Sequence, residues 1–138
     1  MFVDASAIVA VLNMEPGHEE LLQRLATRRR DLFVSPLVRF EATAAIARSR
    51  SGARRPTPVQ FKLAADIVEQ FCDELKARDI NITHAVGSRA TAAGAKYGKF
   101  VGHKADLNFG DCFAYACAAV YGVDLLYVGE DFKHTDLG

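Results

Sequence analysis

Apolar positions along the chain alternate between short continuous runs and stripes at helical spacing, and caps or breakers mark most of the changes. Phe2-Val3 opens an apolar strand, and the run Ala7 to Leu12 predicts a helix entered directly after it. Pro16-Gly17 breaks the chain before a helix over His18 to Arg28, whose Leu21, Leu22 and Leu25 form one stripe. Leu32-Phe33-Val34 reads as a second strand. Ser35-Pro36 then supplies an N-cap and a first-turn proline to a helix running to about Arg50, which Ser51-Gly52 ends. Thr57-Pro58-Val59-Gln60 is a capping box. Phe61, Ala64, Val68, Phe71 and Leu75 follow it at helical spacing and predict a long helix from Pro58 to about Arg78. Ile80-Asn81-Ile82 reads as a third strand, and Thr83 caps a helix ending near Gly98. Asn108 caps the next, Phe109 to Tyr121, which stops at Gly122, and Leu125 to Val128 is a fourth strand. The stretch Arg48 to Pro56 reads as the loop with the most freedom.

Short strands alternating with helices indicate right-handed crossovers and a parallel sheet covered on both faces, an α/β fold. The chain has 138 residues, half of them hydrophobic and a quarter charged, which suits a single globular domain over 1–138. No apolar run approaches the roughly 18–20 residues a membrane span needs. The opening MFVDASAIVAVLN carries Asp4 and no basic leader, so it reads as strand plus helix rather than a signal peptide. The three cysteines, Cys72, Cys112 and Cys117, show no ligand spacing and suit small buried residues in a reducing cytoplasm. A formal net charge of zero does not announce a nucleic-acid binder. The charge is patchy, however, with runs at Arg28 to Arg30, at Arg48, Arg50, Arg54 and Arg55, and at Lys96, Lys99, His103 and Lys104. Solvated surface is the ordinary reading of each run. A phosphate-tracking role gains weight only if the chain's acids need a polyanionic substrate.

The candidate chemistry is acidic. Asp4, Glu41, Asp111 and the pair Glu130/Asp131 each stand where a predicted element begins or ends, or on an apolar face. Burying an unpaired carboxylate costs several kcal/mol, so several of them beside apolar runs suggest a shared counter-ion, most simply a hard divalent cation. Ligands of open parallel sheets sit outside the carboxyl ends of the strands, where all of these positions could converge. Each also has a bland explanation. Asp4 could cap the helix after it, Asp111 could favour a helix dipole, and an acidic pair after a strand is common turn chemistry. Glu41 is hardest to dismiss, because Leu37, Ala44 and Ala45 surround it and the nearest cation on its face is Arg48, two turns on. Ser6 follows Asp4 by two and could bond a water at the metal, or simply satisfy the first turn of its helix. His18, His84 and His134 lack paired zinc spacing, and no nucleophilic triad or glycine-rich phosphate loop is present.

With those residues in hand, the sequence resembles the PIN-domain nucleases, specifically the VapC-type toxins of bacterial toxin–antitoxin modules. The resemblance rests on Val3-Asp4-Ala5-Ser6-Ala7, the Glu41 helix, the block Leu107 to Ala116 and the segment Gly129 to Asp136. It implies a three-layer α/β/α domain with a central parallel sheet. It also implies Mg2+- or Mn2+-dependent endoribonuclease activity on RNA, with transfer RNA among the candidates, and neutralisation by a VapB-type antitoxin; a homodimer is plausible from the family. Asp4, Glu41 and Asp111 match the best-defined acidic positions of the family. Glu130 or Asp131 supplies the fourth, and Asp131 joins the expected catalytic set. Ser6, Arg89, Lys96, Lys99, His103 and Lys104 are the candidates to contact RNA. Two rivals stand beside this reading: a haloacid-dehalogenase-like phosphatase, which wants a second aspartate where Ser6 stands, and a non-catalytic binding module on the same scaffold.

Overall fold

In the computed structural model, which describes residues 1–138, four short strands form one parallel sheet. Phe2–Val3 (β1) lies between Phe33–Val34 (β2) and Leu125–Leu126 (β4), and Arg78–Asp79 (β3) adds to the outer edge of β2. The pairing sets Phe2 opposite Phe33 and Leu125, and Val34 opposite Asp79. Phe2 and Val3 are buried, as an inner parallel strand covered on both faces requires. Six helices flank the sheet: Ala5–Leu12 (α1), His18–Ala26 (α2), Pro36–Ser51 (α3), Pro58–Glu74 (α4), His84–Tyr97 (α5) and Phe109–Tyr121 (α6). A continuous apolar cluster joins sheet and helices, from Phe2 and Leu126 through Ile46, Val68 and Val86 to Leu107 and Phe132. No helix is long and apolar enough to cross a membrane.

Local chemistry explains most of the boundaries. The Ser35 and Thr57 side chains accept from Val38 N–H and Gln60 N–H, each with proline in the first turn, and Gln60 closes the capping box. Gly122 ends α6 in the left-handed conformation at φ 62°, which costs a residue without Cβ little.

The third strand differs from its expected position. The helix expected to reach Arg78 stops at Glu74, and Lys76 turns the chain at φ 52°. The strand is therefore Arg78–Asp79 rather than Ile80–Ile82, although Ile80 N–H still donates to Val34 C=O at 2.8 Å. An edge strand needs its backbone in the ladder more than an apolar sequence, and both β3 residues are exposed. Ile80 is buried beyond it, while Ile82 is substantially exposed. Two other bounds are shorter than the periodicity suggests: α2 ends at Ala26, and β4 stops at Leu126. Helix α1 starts earlier, at Ala5, because Asp4 caps it. The first residues of the expected loop at Arg48 to Pro56 continue α3 as far as Ser51.

Strand order β3-β2-β1-β4 makes the chain wind outward from β1 and then return to its other side. That reversal beside β1 is the topological switch point at which open parallel sheets form a crevice.

Candidate active site

Asp4 leaves the carboxyl end of β1 at this switch point. Its backbone N–H donates to Leu126 C=O at 2.9 Å, which seats it in the sheet beside β4. Its Oδ2 accepts from Ser6 N–H at 2.9 Å and from Ser6 Oγ at 2.5 Å, capping α1. Ser6 Oγ in turn accepts from Val128 N–H at 3.0 Å, tying the start of α1 to the segment after β4. Asp4 is only 4 % exposed, and burial pushes its carboxyl up from the ordinary aspartate value.

Glu41 and Asp111 face Asp4 from two other elements. Glu41 sits in the second turn of α3, where burial first, then the charges of Asp4 and Asp111, push it up to about 7. Asp111 stands in the first turn of α6 within a reciprocal cap: its N–H donates to Asn108 Oδ1 at 3.0 Å, and its Oδ2 accepts from Asn108 N–H at 2.9 Å. Burial again leads in raising it, to about 6, helped by Asp4 and Asp131 and opposed by the Asn108 hydrogen bond and by Lys99. Asp131 opens a 3-10 turn, Asp131–His134, that follows β4.

Asp4, Glu41, Asp111 and Asp131 line a single cleft of about 420 Å³, together with Ser6, Asn108, Phe40 and Arg48. The bland reading of Asp4 as a cap holds as well, and Asp111, expected at most to favour the helix dipole, closes a capping box; in each, one oxygen serves the helix while the carboxylate still faces the cleft. Glu130 points elsewhere and pairs with Lys133 at 2.6 Å, so Asp131 is the member of that pair in the cleft wall.

The basic candidates are dispersed. Lys99 is close enough to lower the Asp111 carboxyl. Arg89 and Lys96 line a different recess, with the Arg89 guanidinium 5.7 Å from the Tyr115 ring centre and Lys96 Nζ 4.6 Å from that of Tyr97. Those contacts belong to a polar strap in which Tyr115 donates to Asp136 at 2.7 Å and ties the C-terminal segment to α6. His103 accepts from Ala105 N–H through Nδ1 and packs edge-on against Tyr97, while Lys104 is exposed and outside the cleft.

Two residues in or beside the cleft carry weight that periodicity did not give them. Gly110 adjoins Asp111 on α6, and a Cβ there would stand 1.8 Å from a Glu41 carboxylate oxygen. Only the absence of a side chain lets Glu41 lie against the start of α6, where exposed N–H groups favour an anion. A glycine in a helical first turn, away from either cap, was the available signal. Arg48 is the cation that reaches the cleft wall.

The donor set is hard oxygen throughout, in an array whose carboxyls raise one another and whose wall offers one guanidinium, which suits magnesium or manganese. No three of these side chains stand in closed metal-holding geometry. Magnesium keeps much of its water and takes one or two carboxylates, a demand the cleft meets.

The PIN-domain family model matches residues 1–137. The chain is 50% identical over 140 residues to a VapC ribonuclease of Rhizobium meliloti, covering 99% of each. It is 34% identical over 137 residues to ribonuclease VapC42 of Mycobacterium tuberculosis, covering 99% of this chain and 96% of that one. The crystal structure of M. tuberculosis VapC20, described as a sarcin–ricin loop cleaving toxin, superposes with a TM-score of 0.69 at 18% identity, covering 96% of this chain and 92% of that one. The chain belongs to the PIN-domain family and, within it, to the VapC-type toxic endoribonucleases.

Proposed function

We propose that this protein hydrolyses RNA phosphodiesters in the cleft between β1 and α6, with Asp4, Glu41, Asp111 and Asp131 as its catalytic side chains and a divalent cation as cofactor. The observation that carries this reading is the meeting of carboxylates from four separate elements in one cleft, with burial and mutual repulsion raising Asp4, Glu41 and Asp111 together.

Asp4 and Asp111 would hold the cation, and Glu41 and Asp131 would complete its surroundings. When bound, the cation neutralises charge on the phosphate and lowers the pKa of water. Ser6 orients Asp4 by donating to Oδ2, and the Asn108 cap orients Asp111 by donating to its own Oδ2. Glu41 faces the same cleft and would accept the proton of the attacking water on its carboxylate.

The protein acts in the cytoplasm with RNA as substrate and a VapB-type antitoxin as inhibitor, transfer RNA being the first class to try. An arginine or lysine of the antitoxin inserts among the carboxylates as a charge-assisted plug. A homodimer is supported by the exposed Phe100, Val101 and Phe109, an apolar surface beside α5 and α6 that a second copy would cover.

Purified, antitoxin-free protein incubated with total RNA, with manganese or with chelator, tests the reading. Cleavage should require the metal and disappear in Asp4→Asn. Metal-independent cleavage, or none by the wild type, contradicts it.

A further inference from the structure

The acidic cleft repels the polyanion it is built to cut, so a strand entering it needs cations outside the carboxylate ring. Ion pairs engage only four of the chain's 17 lysines and arginines, Lys96 with Asp136 among them, so position must choose among the rest. Arg39 is committed to Glu69 and Asp79, Arg78 to Asp31, and Lys133 to Glu130. Arg48, Arg54 and Arg55 are exposed and enter no ion pair, and together they line a recess of about 590 Å³ that contains no carboxylate.

Position sets this recess apart from the other basic runs. It shares Ala44 and Arg48 with the acidic cleft, so the two adjoin. Aromatic surface lies along the join. Phe40 lines the cleft at 65 % exposed, Phe61 lines the recess, and their rings are 6.0 Å apart. The corner is also held in shape. Gly52 turns the chain at φ 65°, where a side chain would be strained, and Ser51 Oγ bonds the carbonyls of Arg48 and Arg54 at 3.1 and 2.7 Å. The Thr57–Gln60 capping box then starts α4. Guanidinium groups that track phosphates beside an exposed aromatic face are the apparatus by which proteins hold single-stranded nucleic acid.

We propose that the corner between α3 and α4 is a docking subsite for the single-stranded RNA flanking the scissile phosphate. Arg48, Arg54 and Arg55 bind its backbone and Phe40 stacks on a base. The assignment rests on the ribonuclease reading above and adds the direction in which the substrate leaves the cleft.

The test is binding of a labelled single-stranded RNA to antitoxin-free Asp4→Asn protein, titrated across salt concentrations in manganese. Adding Arg54→Ala and Arg55→Ala should weaken binding about tenfold at low salt and flatten the salt slope by about 1.4, the value for two lost phosphate contacts on a single strand. Adding Phe40→Ala should weaken binding while leaving the slope unchanged. Arg29→Ala/Arg30→Ala removes the same charge from an exposed run elsewhere and serves as the control. Unchanged affinity and slope in the Arg54/Arg55 variant overturn the subsite, as does an equal loss in the control. RNA affinity retained while antitoxin capture is lost assigns the corner to the protein partner and also overturns it. Failure of the wild type to cleave RNA removes the ribonuclease reading and the subsite together, so the two failures are distinguishable.

Discussion

At the scale of residues, Glu41 carries the largest consequence of bringing the acids together. Its ordinary value near 4.5 rises to about 7, so the folded state prefers the neutral form. The stability this preference contributes is complete below about 4.5 and lost as pH rises through about 7. In chelator, the wild type should therefore lose stability relative to Glu41→Gln between those limits, by on the order of 1 kcal/mol after solvent screening, and the gap should persist at pH 8. Thermal unfolding of both proteins at pH 4.5 and 8 checks the sign; a gap that narrows with rising pH contradicts it. Asp4→Asn, Glu41→Gln and Asp111→Asn should each lower cleavage by at least about 100-fold with unchanged circular dichroism. Full activity in any of them removes that residue from the mechanism. These acids were legible because an uncompensated carboxylate beside apolar neighbours is anomalous in one dimension. The choice between Glu130 and Asp131 was not, because adjacent turn residues point apart and only the Lys133 contact shows which one leaves the cleft.

At the scale of elements, the site depends on how α3 meets α6. Gly110→Ala puts a methyl group where the Glu41 carboxylate lies, so it should reduce cleavage nearly as far as Glu41→Gln while α6 itself remains helical. Activity unchanged in Gly110→Ala would show that Glu41 does not need that seat. Asn108→Ala should cost about 1 kcal/mol of stability, measured by denaturant unfolding, and Asn108→Ser should restore most of it. The caps and helices were readable because serine, threonine and asparagine act locally, and Asn108, Ser35 and Thr57 stand where expected. Strand β3 was not, because its place is set by pairing to β2 and by the turn at Lys76 rather than by its own residues. Gly110 was hidden for the same reason: its partner lies on another helix.

At the scale of the molecule, four sequence-distant segments share one cleft because β1 sits between β2 and β4. Alternating strands and helices announced that architecture, but the order of strands, and hence the switch point, depends on tertiary packing. The proposed homodimer draws on the apolar surface at Phe100, Val101 and Phe109. Phe109→Asp should convert a homodimer to monomer in sedimentation equilibrium with the fold retained; a wild type that is already monomeric contradicts the dimer. The central claim is that the cleft lined by Asp4, Glu41, Asp111 and Asp131 takes a divalent cation, with Asp4 and Asp111 as the side chains that hold it. Anomalous diffraction from crystals soaked in manganese tests it most directly. The account predicts a manganese peak in the cleft, bounded by Asp4 and Asp111, that is absent from Asp4→Asn crystals; a wild-type cleft without a peak, or a peak that survives in Asp4→Asn, contradicts it.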